Sequence, residues 1–188
     1  MTAAPTDRAA AVRAALRTLV ARNGFHGASM IAVAREAGVA TGTAYTHYAS
    51  KDELVLAAYR ETKAALGLAV TAGLGPDLPA ESRFRALWLA FYRYSKANPN
   101  HAQFLLQVEQ SPYRGPAHQS VLANENDPLL AQVALPAFAA RLLPLPAEVL
   151  YELSLSPAIR LAASGIELTQ AQLDEIAGAC WRAVSRPE

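Results

Sequence analysis

One stretch near the start of the chain, Ser29–Glu53, constrains the fold more than any other segment. Ser29 is a residue type that caps helix N-termini, and Gly38 supplies the left-handed backbone that a tight turn after a helix needs. A second cap stands at Ser50, where Glu53 completes a capping box. The stretch therefore predicts two short helices joined by a turn, followed by a third helix.

The second of these short helices has an unusual outer face. Exposed helices usually carry lysine and glutamate, and this one carries neither. Two helices joined by a glycine-containing turn form a helix-turn-helix, whose second helix enters the major groove of DNA. We interpret the polar side chains as groups that contact bases and phosphates: Thr41, Thr43, Tyr45, Thr46 and His47.

The order and spacing of residues here also resemble a known family. The residues that carry the resemblance are 33–39 (Val-Ala-Arg-Glu-Ala-Gly-Val), Gly42-Thr43, Tyr45, Tyr48 and 50–54 (Ser-Lys-Asp-Glu-Leu). Over its first third the chain resembles the DNA-binding domain of TetR-type transcriptional regulators. It departs from the family pattern at Ala40, Ala44 and Tyr48, and the cap of the second helix is expected at Thr41 instead.

The resemblance implies a set of DNA-contacting residues that is wider than the polar face alone. Lys51 would bind a phosphate, whereas without the resemblance it would be an ordinary solvated lysine in the first turn of a helix. The expected DNA-binding residues are Ser29, Thr41, Gly42, Thr43, Tyr45, Thr46, His47 and Lys51.

The net charge of +1 is low for a DNA-binding protein, but the charge is unevenly distributed. Residues 1–63 hold eight lysines and arginines against five acids, which gives +3, and the remainder of the chain carries −2. A modest basic end suits phosphate contact at one site. The low total charge argues against a non-specific architectural DNA binder.

Apolar periodicity and helix breakers predict an all-α protein of about nine helices. A long helix from Lys51 to about Ala72 follows the helix-turn-helix, and the segment Tyr113–Asn126 is expected to be a loop or partly helical. The later helices are expected over 80–97, 101–111, 128–143 with a kink at Pro136, 147–164 with a bend near Pro157, and from 170 onward. The expected domains are a DNA-binding domain over 6–66 and an effector-binding and dimerisation bundle over 67–188.

The helix over 80–97 carries the strongest apolar stripe of the chain. Such a stripe is as often plain core as it is the wall of a binding site. The alternative is a ligand cavity, which we expect to take a largely apolar effector. Its predicted lining is Trp88, Phe91, Tyr92, Phe104, Gln107 and Tyr113.

These features predict a ligand-responsive transcriptional regulator, most often a repressor in the family it resembles. It would bind double-stranded DNA at a near-palindromic operator as a homodimer formed by the two C-terminal helices. The rival function, a helical small-molecule carrier or enzyme, needs a convergent acid, base or nucleophile cluster, and none is visible. No cofactor and no metal site are expected, since His101 and His118 lack ligand spacing.

The compartment is predicted from the cysteine count and the apolar runs. One cysteine, Cys180, excludes an internal disulfide and fits a reducing compartment. No signal peptide and no membrane-spanning run are visible, so a cytoplasmic location is expected.

Overall fold

The computed structural model describes residues 7–187 and is built from helices. Within this range there are twelve α-helices and no strand, and the β-pairing found there is an isolated bridge between Leu142 and Ser185. The all-α prediction is confirmed. The predicted count of about nine helices is wrong, and the predicted domain start at Thr6 lies outside the described residues.

The chain divides into two compact units, and the division does not follow the order of residues. The first unit runs to Lys63 and takes in Gln103–Asn124; the second holds Ala64–Ala102 and the chain after Asn124. The segment 103–124 therefore packs with the helix-turn-helix. The predicted domain bounds, 6–66 for DNA binding and 67–188 for effector binding and dimerisation, stay a prediction.

The first unit is assembled from short amphipathic helices around a small apolar core. Its elements are α1 (Arg8–Asn23), a 3-10 turn (Phe25–Gly27), α2 (Met30–Glu36), α3 (Thr41–His47), the first part of α4 (Lys51–Thr71), most of α6 (Pro99–Glu109) and α7 (Arg114–Leu122). Asp7 caps α1, where its carboxylate accepts from the Ala10 amide at 3.1 Å. Helices α1, α2 and α3 pack on one another, and the side chains they bury with α4 include Leu16, Val33, Ala44 and Leu54.

The second unit is centred on α5 (Ala80–Ala97), the helix with the aromatic stripe. Its other named helices are α8 (Pro128–Val133), α9 (Pro136–Ala139), α10 (Ala147–Leu153), α11 (Ser156–Ala163) and α12 (Gln170–Val184). Helix α5 packs against α11 and α12, and it buries Phe84, Leu87, Trp88, Phe91 and Tyr92. Helix α12 starts with the predicted capping box, formed by Thr169 and Gln172.

Three differences between the prediction and the structure account for the rise from about nine helices to twelve among the described residues. The predicted kink at Pro136 is a full break, because Pro136 begins a separate helix and Leu135 before it is extended. The predicted bend near Pro157 is also a break, between α10 and α11. The segment expected to be a loop or partly helical forms α7, which tolerates Pro116 in its first turn.

Candidate nucleic-acid interface

The turn between α2 and α3 is held by local bonds. The Ser29 hydroxyl caps α2 and accepts from the Ala32 amide at 3.2 Å. Gly38 adopts φ +66°, and the Val39 amide after it returns to the Ala34 carbonyl at 3.0 Å. Only glycine takes this backbone without strain, so Gly38 fixes the angle at which the chain enters α3.

Helix α3 buries one small side chain and exposes a polar face. Ala44 is fully buried, while Tyr45 remains 50% exposed and Thr46 and His47 are also exposed. Gly42 is exposed, and a Cβ at this position would meet no atom within 4 Å. The exposed positions are therefore Gly42 and 45–47, and a recognition helix presents exposed side chains of this kind to base edges.

Helix α3 begins at a different residue from the one predicted, and one of its threonine hydroxyls is already hydrogen-bonded within the helix. The N-cap is Ala40 without a side-chain cap, rather than Thr41, which is the first helical residue and half-buried. Thr43 is also half-buried. The Thr46 hydroxyl donates to the Gly42 carbonyl at 2.9 Å, so its lone pairs and its methyl group are the parts left to face a base.

The junction between α3 and α4 carries Lys51, which is half-buried. Its ammonium donates to the Phe25 carbonyl and lies 5.9 Å from the centroid of the Phe25 ring. Burial lowers the pKa of Lys51, and the neighbouring Asp52 carboxylate opposes this shift. An ammonium has three N–H donors, so two remain for a phosphate or another anion.

A cluster of charged side chains fixes the end of α3 to α1 and α4. Tyr48, at the end of α3, accepts from Arg13 at 2.6 Å, and Arg13 also donates to Glu61 at 2.7 Å. Arg17 binds the other oxygen of the same carboxylate. Burial acts to raise the pKa of Glu61, but the hydrogen bonds from Arg13 and Arg17 outweigh it and the pKa is lowered. These bonds connect the end of α3 to both α1 and α4.

A groove of about 750 Å³ opens beside this face, and every residue that lines it belongs to the first unit. We call it the Lys51 groove. Ser29, Tyr45 and Lys51 line it on the helix-turn-helix side, together with Phe25. The end of α6 and the α6–α7 connection line the other side, with Gln107, Gln110, Ser111, Pro112 and Tyr113. The structure therefore brings three of the predicted DNA-binding residues together with two of the predicted ligand-binding residues.

The sequence did not single out several residues of this groove. Phe25 packs on Tyr113, with ring centroids 4.9 Å apart, and Ile31 is 68% exposed beside it. Gln110 and Ser111 also line the groove. The sequence shows an isoleucine, Ile31, two residues after the Ser29 cap, but only the structure shows that it is exposed. The approach of α6 and α7 to the helix-turn-helix has no local signal in the sequence.

The predicted ligand-binding residues fall in both compact units. Trp88, Phe91 and Tyr92 belong to the second unit, where all three are buried; Trp88 stacks on Tyr92 and donates its indole N–H to the Ser154 carbonyl at 3.1 Å. Of the residues from the first unit, Phe104 is buried, and Gln107 and Tyr113 are half-buried. The ligand site built from all six stays a prediction.

Other chemistry has little support in the part of the chain described. Over residues 7–187 no three histidine, cysteine, aspartate or glutamate side chains gather in a way that would hold a metal ion. Cys180 is buried, and burial raises the pKa of its thiol, which keeps it unreactive. No helix among the described residues is long and apolar enough to cross a membrane.

Comparison with known proteins gives matches over nearly the whole chain. Residues 12–58 match the profile of the bacterial regulatory proteins of the tetR family, and residues 79–185 match that of the tetracyclin repressor-like C-terminal domain. A helix-turn-helix-type transcriptional regulator from Haemophilus influenzae is 27% identical over 190 residues, which cover 99% of this chain and 100% of that protein.

Three solved structures match this chain over 96% of its length. The crystal structure of a TetR-family transcriptional regulator from Haemophilus influenzae matches with a TM-score of 0.75 and 27% identity, over 96% of this chain and 98% of that one. A putative transcriptional regulator of the same family from Vibrio parahaemolyticus matches with a TM-score of 0.71 and 27% identity, over 96% and 100%. A TetR-family regulator from Marinobacter aquaeolei, at 22% identity, has a TM-score of 0.78 over 96% of each chain and shows the shared fold.

Proposed function

Because this chain belongs to the TetR family of bacterial regulatory proteins, we propose that it acts as a homodimeric repressor which a small, largely apolar molecule releases from a near-palindromic operator. The chain is a DNA-binding transcriptional regulator, as its relatives are, and not an enzyme. The sequence prediction of this role is confirmed. Repression, the dimer, the effector and a cytoplasmic location belong to the proposal.

The observation that carries the DNA-binding part is the geometry of α3. Ala44 is buried, so Tyr45, Thr46 and His47 are left on the exposed side. None of the three is a lysine, arginine, aspartate or glutamate. Their hydroxyl, phenol and imidazole groups all form hydrogen bonds with base edges or phosphates. A helix with this face and almost no charge suits sequence reading better than non-specific attraction.

The dimer is supported by apolar side chains exposed on the C-terminal helices of the second unit. Val149 and Leu153 stand one turn apart on α10 and are 40% and 44% exposed, and Ile166, between α11 and α12, is 52% exposed. Contiguous exposed apolar patches mark interaction surfaces, and Val149 and Leu153 would contribute to such a patch on α10. A dimer also supplies the second α3 that a useful specificity for one operator needs.

The effector part rests on the aromatic residues of α5. Trp88, Phe91 and Tyr92 are apolar in character, and the one N–H of Trp88 is already bonded to Ser154. A cavity bounded by such side chains offers a ligand apolar surface and few polar partners. The other residues predicted for the site, Phe104, Gln107 and Tyr113, belong to the first unit, where Gln107 and Tyr113 line the Lys51 groove.

Selection of bound sequences from random double-stranded DNA tests the proposed function. We expect the enriched sequences to contain two inverted half-sites whose centres lie about 34–36 Å apart, or a multiple of that distance. A footprint on a genomic fragment that contains such a sequence should show two-fold symmetric protection. Enrichment of a single unpaired half-site would argue against the dimer, and the absence of any enriched sequence would argue against sequence reading.

A further inference from the structure

The Lys51 groove has the size and composition of a small-molecule site. Its volume of about 750 Å³ lies within the range of roughly 300–1,000 Å³ that ligand pockets occupy. Phe25 and Tyr113 give it two aromatic rings, 4.9 Å apart, and Met30 and Ile31 add aliphatic surface. The groove therefore offers an apolar body of moderate size a place to bury itself.

The charges along the groove favour an anion. Lys51 is the one lysine or arginine among the described residues that line it, and none of these lining residues is an aspartate or glutamate. The ammonium of Lys51 uses one donor on the Phe25 carbonyl, and among the described residues it forms no ion pair with a carboxylate. Asp52, the nearest acid in sequence, accepts from the Tyr113 phenol at 2.8 Å.

The opposite side of the groove supplies neutral donors. Gln107, in the last turn of α6, and Gln110, directly after its end, lie about one turn apart and supply side-chain amide donors. The Ser111 hydroxyl also lines the groove, but its proton is donated to the Val108 carbonyl at 2.8 Å. Amide N–H groups and an ammonium together form hydrogen bonds to both oxygens of a carboxylate, which are stronger when one partner is charged. The apolar rings would then face the body of the same molecule.

We propose that the Lys51 groove binds a small carboxylate with an aromatic or apolar body, and that this ligand excludes DNA from Ser29, Tyr45 and Lys51. The exclusion of DNA rests on the proposed DNA-binding function, whereas the binding of the carboxylate does not. The ligand and the phosphates compete for the same ammonium, so the regulation is direct competition at the reading unit. It needs no change of shape carried from the second unit.

Calorimetric titration of the full chain without DNA tests the first half. The probes are 2-naphthoate, its uncharged analogue 2-naphthamide, and inorganic phosphate. We expect naphthoate to bind about tenfold or more tightly than either of the others, because only it meets both the rings and the ammonium. If phosphate bound as tightly as naphthoate, the groove would be a phosphate contact of DNA and the proposal would be overturned. Naphthamide that bound as tightly as naphthoate would also overturn it.

Three variants locate the site. Lys51→Met should weaken naphthoate binding by about tenfold and leave naphthamide binding within about twofold. Gln110→Trp should abolish naphthoate binding by filling the groove, whereas Gln119→Trp, on the exposed surface of α7 outside the groove, should bind it as the parent does. Unchanged naphthoate binding by Gln110→Trp, or loss of it in Gln119→Trp, would contradict this location.

A competition titration tests the second half. With a selected operator, the apparent dissociation constant for DNA should rise from its ligand-free value as naphthoate is added, by the factor that the calorimetric dissociation constant of naphthoate sets. If naphthoate binds and the operator affinity stays constant, the competition is wrong while the site stands. If no operator is ever selected, the DNA-binding proposal has failed and the calorimetric result is unaffected.

Discussion

The Tyr113 phenol donates a hydrogen bond to the Asp52 carboxylate at 2.8 Å, although 61 residues separate the two in the chain. Burial, followed by the bond to this carboxylate, raises the pKa of Tyr113 to about 12, so the phenol keeps its proton at neutral pH. Asp52 lies in the first turn of α4, directly after Lys51. The bond therefore ties the α6–α7 connection to the start of α4 in the helix-turn-helix unit.

Removal of this bond tests its contribution. Tyr113→Phe keeps the ring that packs on Phe25 and deletes only the hydroxyl, so we expect a loss of about 0.5–1.5 kcal/mol in the free energy of unfolding. Urea denaturation followed by circular dichroism measures it. Tyr45→Phe is the matched control, because Tyr45 is 50% exposed and should lose no stability. Equal effects of the two substitutions would show that the bond to Asp52 does not stabilise the unit.

The Glu61 cluster predicts a dependence of stability on pH. The pKa of Glu61 is lowered from 4.5 in the folded chain, so its ionised form stabilises the fold above that value. That contribution is lost as the pH falls through the lowered pKa. The melting temperature of Glu61→Gln should therefore lie below that of the parent at neutral pH, and the difference should shrink below pH 4.5. A difference that stays constant down to acid pH would contradict the role given to the carboxylate.

Lys51 and Thr46 should affect DNA binding in different ways. Lys51→Ala should weaken binding to every sequence and reduce the slope of log affinity against log salt by about one. Thr46→Ala should leave that slope unchanged and relax the preference at one base position, because Thr46 is exposed and its hydroxyl proton is donated to the Gly42 carbonyl, which leaves its methyl group and lone pairs for a base edge. Fluorescence anisotropy over a salt series measures both. An unchanged salt slope in Lys51→Ala would remove this residue from the phosphate contacts.

The exposed apolar residues of α10 predict which substitutions should dissociate the proposed dimer. The double substitution Val149→Asp and Leu153→Asp should shift the chain to monomer at micromolar concentration, because it places two carboxylates in a surface that the partner would bury. Sedimentation velocity reports the change. Leu122→Asp is the control, since Leu122 is 54% exposed but belongs to α7 in the first unit. A dimer that survives the double substitution would place the interface elsewhere.

The helix-turn-helix was predictable from the sequence because its signals are local. Ser29, Gly38 and Ser50 each act within four residues of their own position, and the structure places α2, α3 and the start of α4 where these residues indicate. Helix α3 runs over Thr41–His47 and is capped at Ala40, one residue before the cap predicted at Thr41.

Other features depended on contacts that no local pattern encodes. The Lys51 groove exists because α6 and α7 pack with the first unit, and the pairing of Phe25 with Tyr113 spans 88 residues. The breaks at Pro136 and Pro157 were expected as a kink and a bend, since sequence alone does not tell whether the residues before a proline stay helical.

The central claim is that the exposed face of α3 reads a DNA sequence. The most direct test is the ratio of the affinities for a selected operator and for a scrambled duplex of equal length, measured by anisotropy at one salt concentration. We predict a ratio of about 10³ or more for the parent chain and a fall of about tenfold for Thr46→Ala. A ratio of about one for the parent would mean that binding is purely electrostatic, and it would contradict the account.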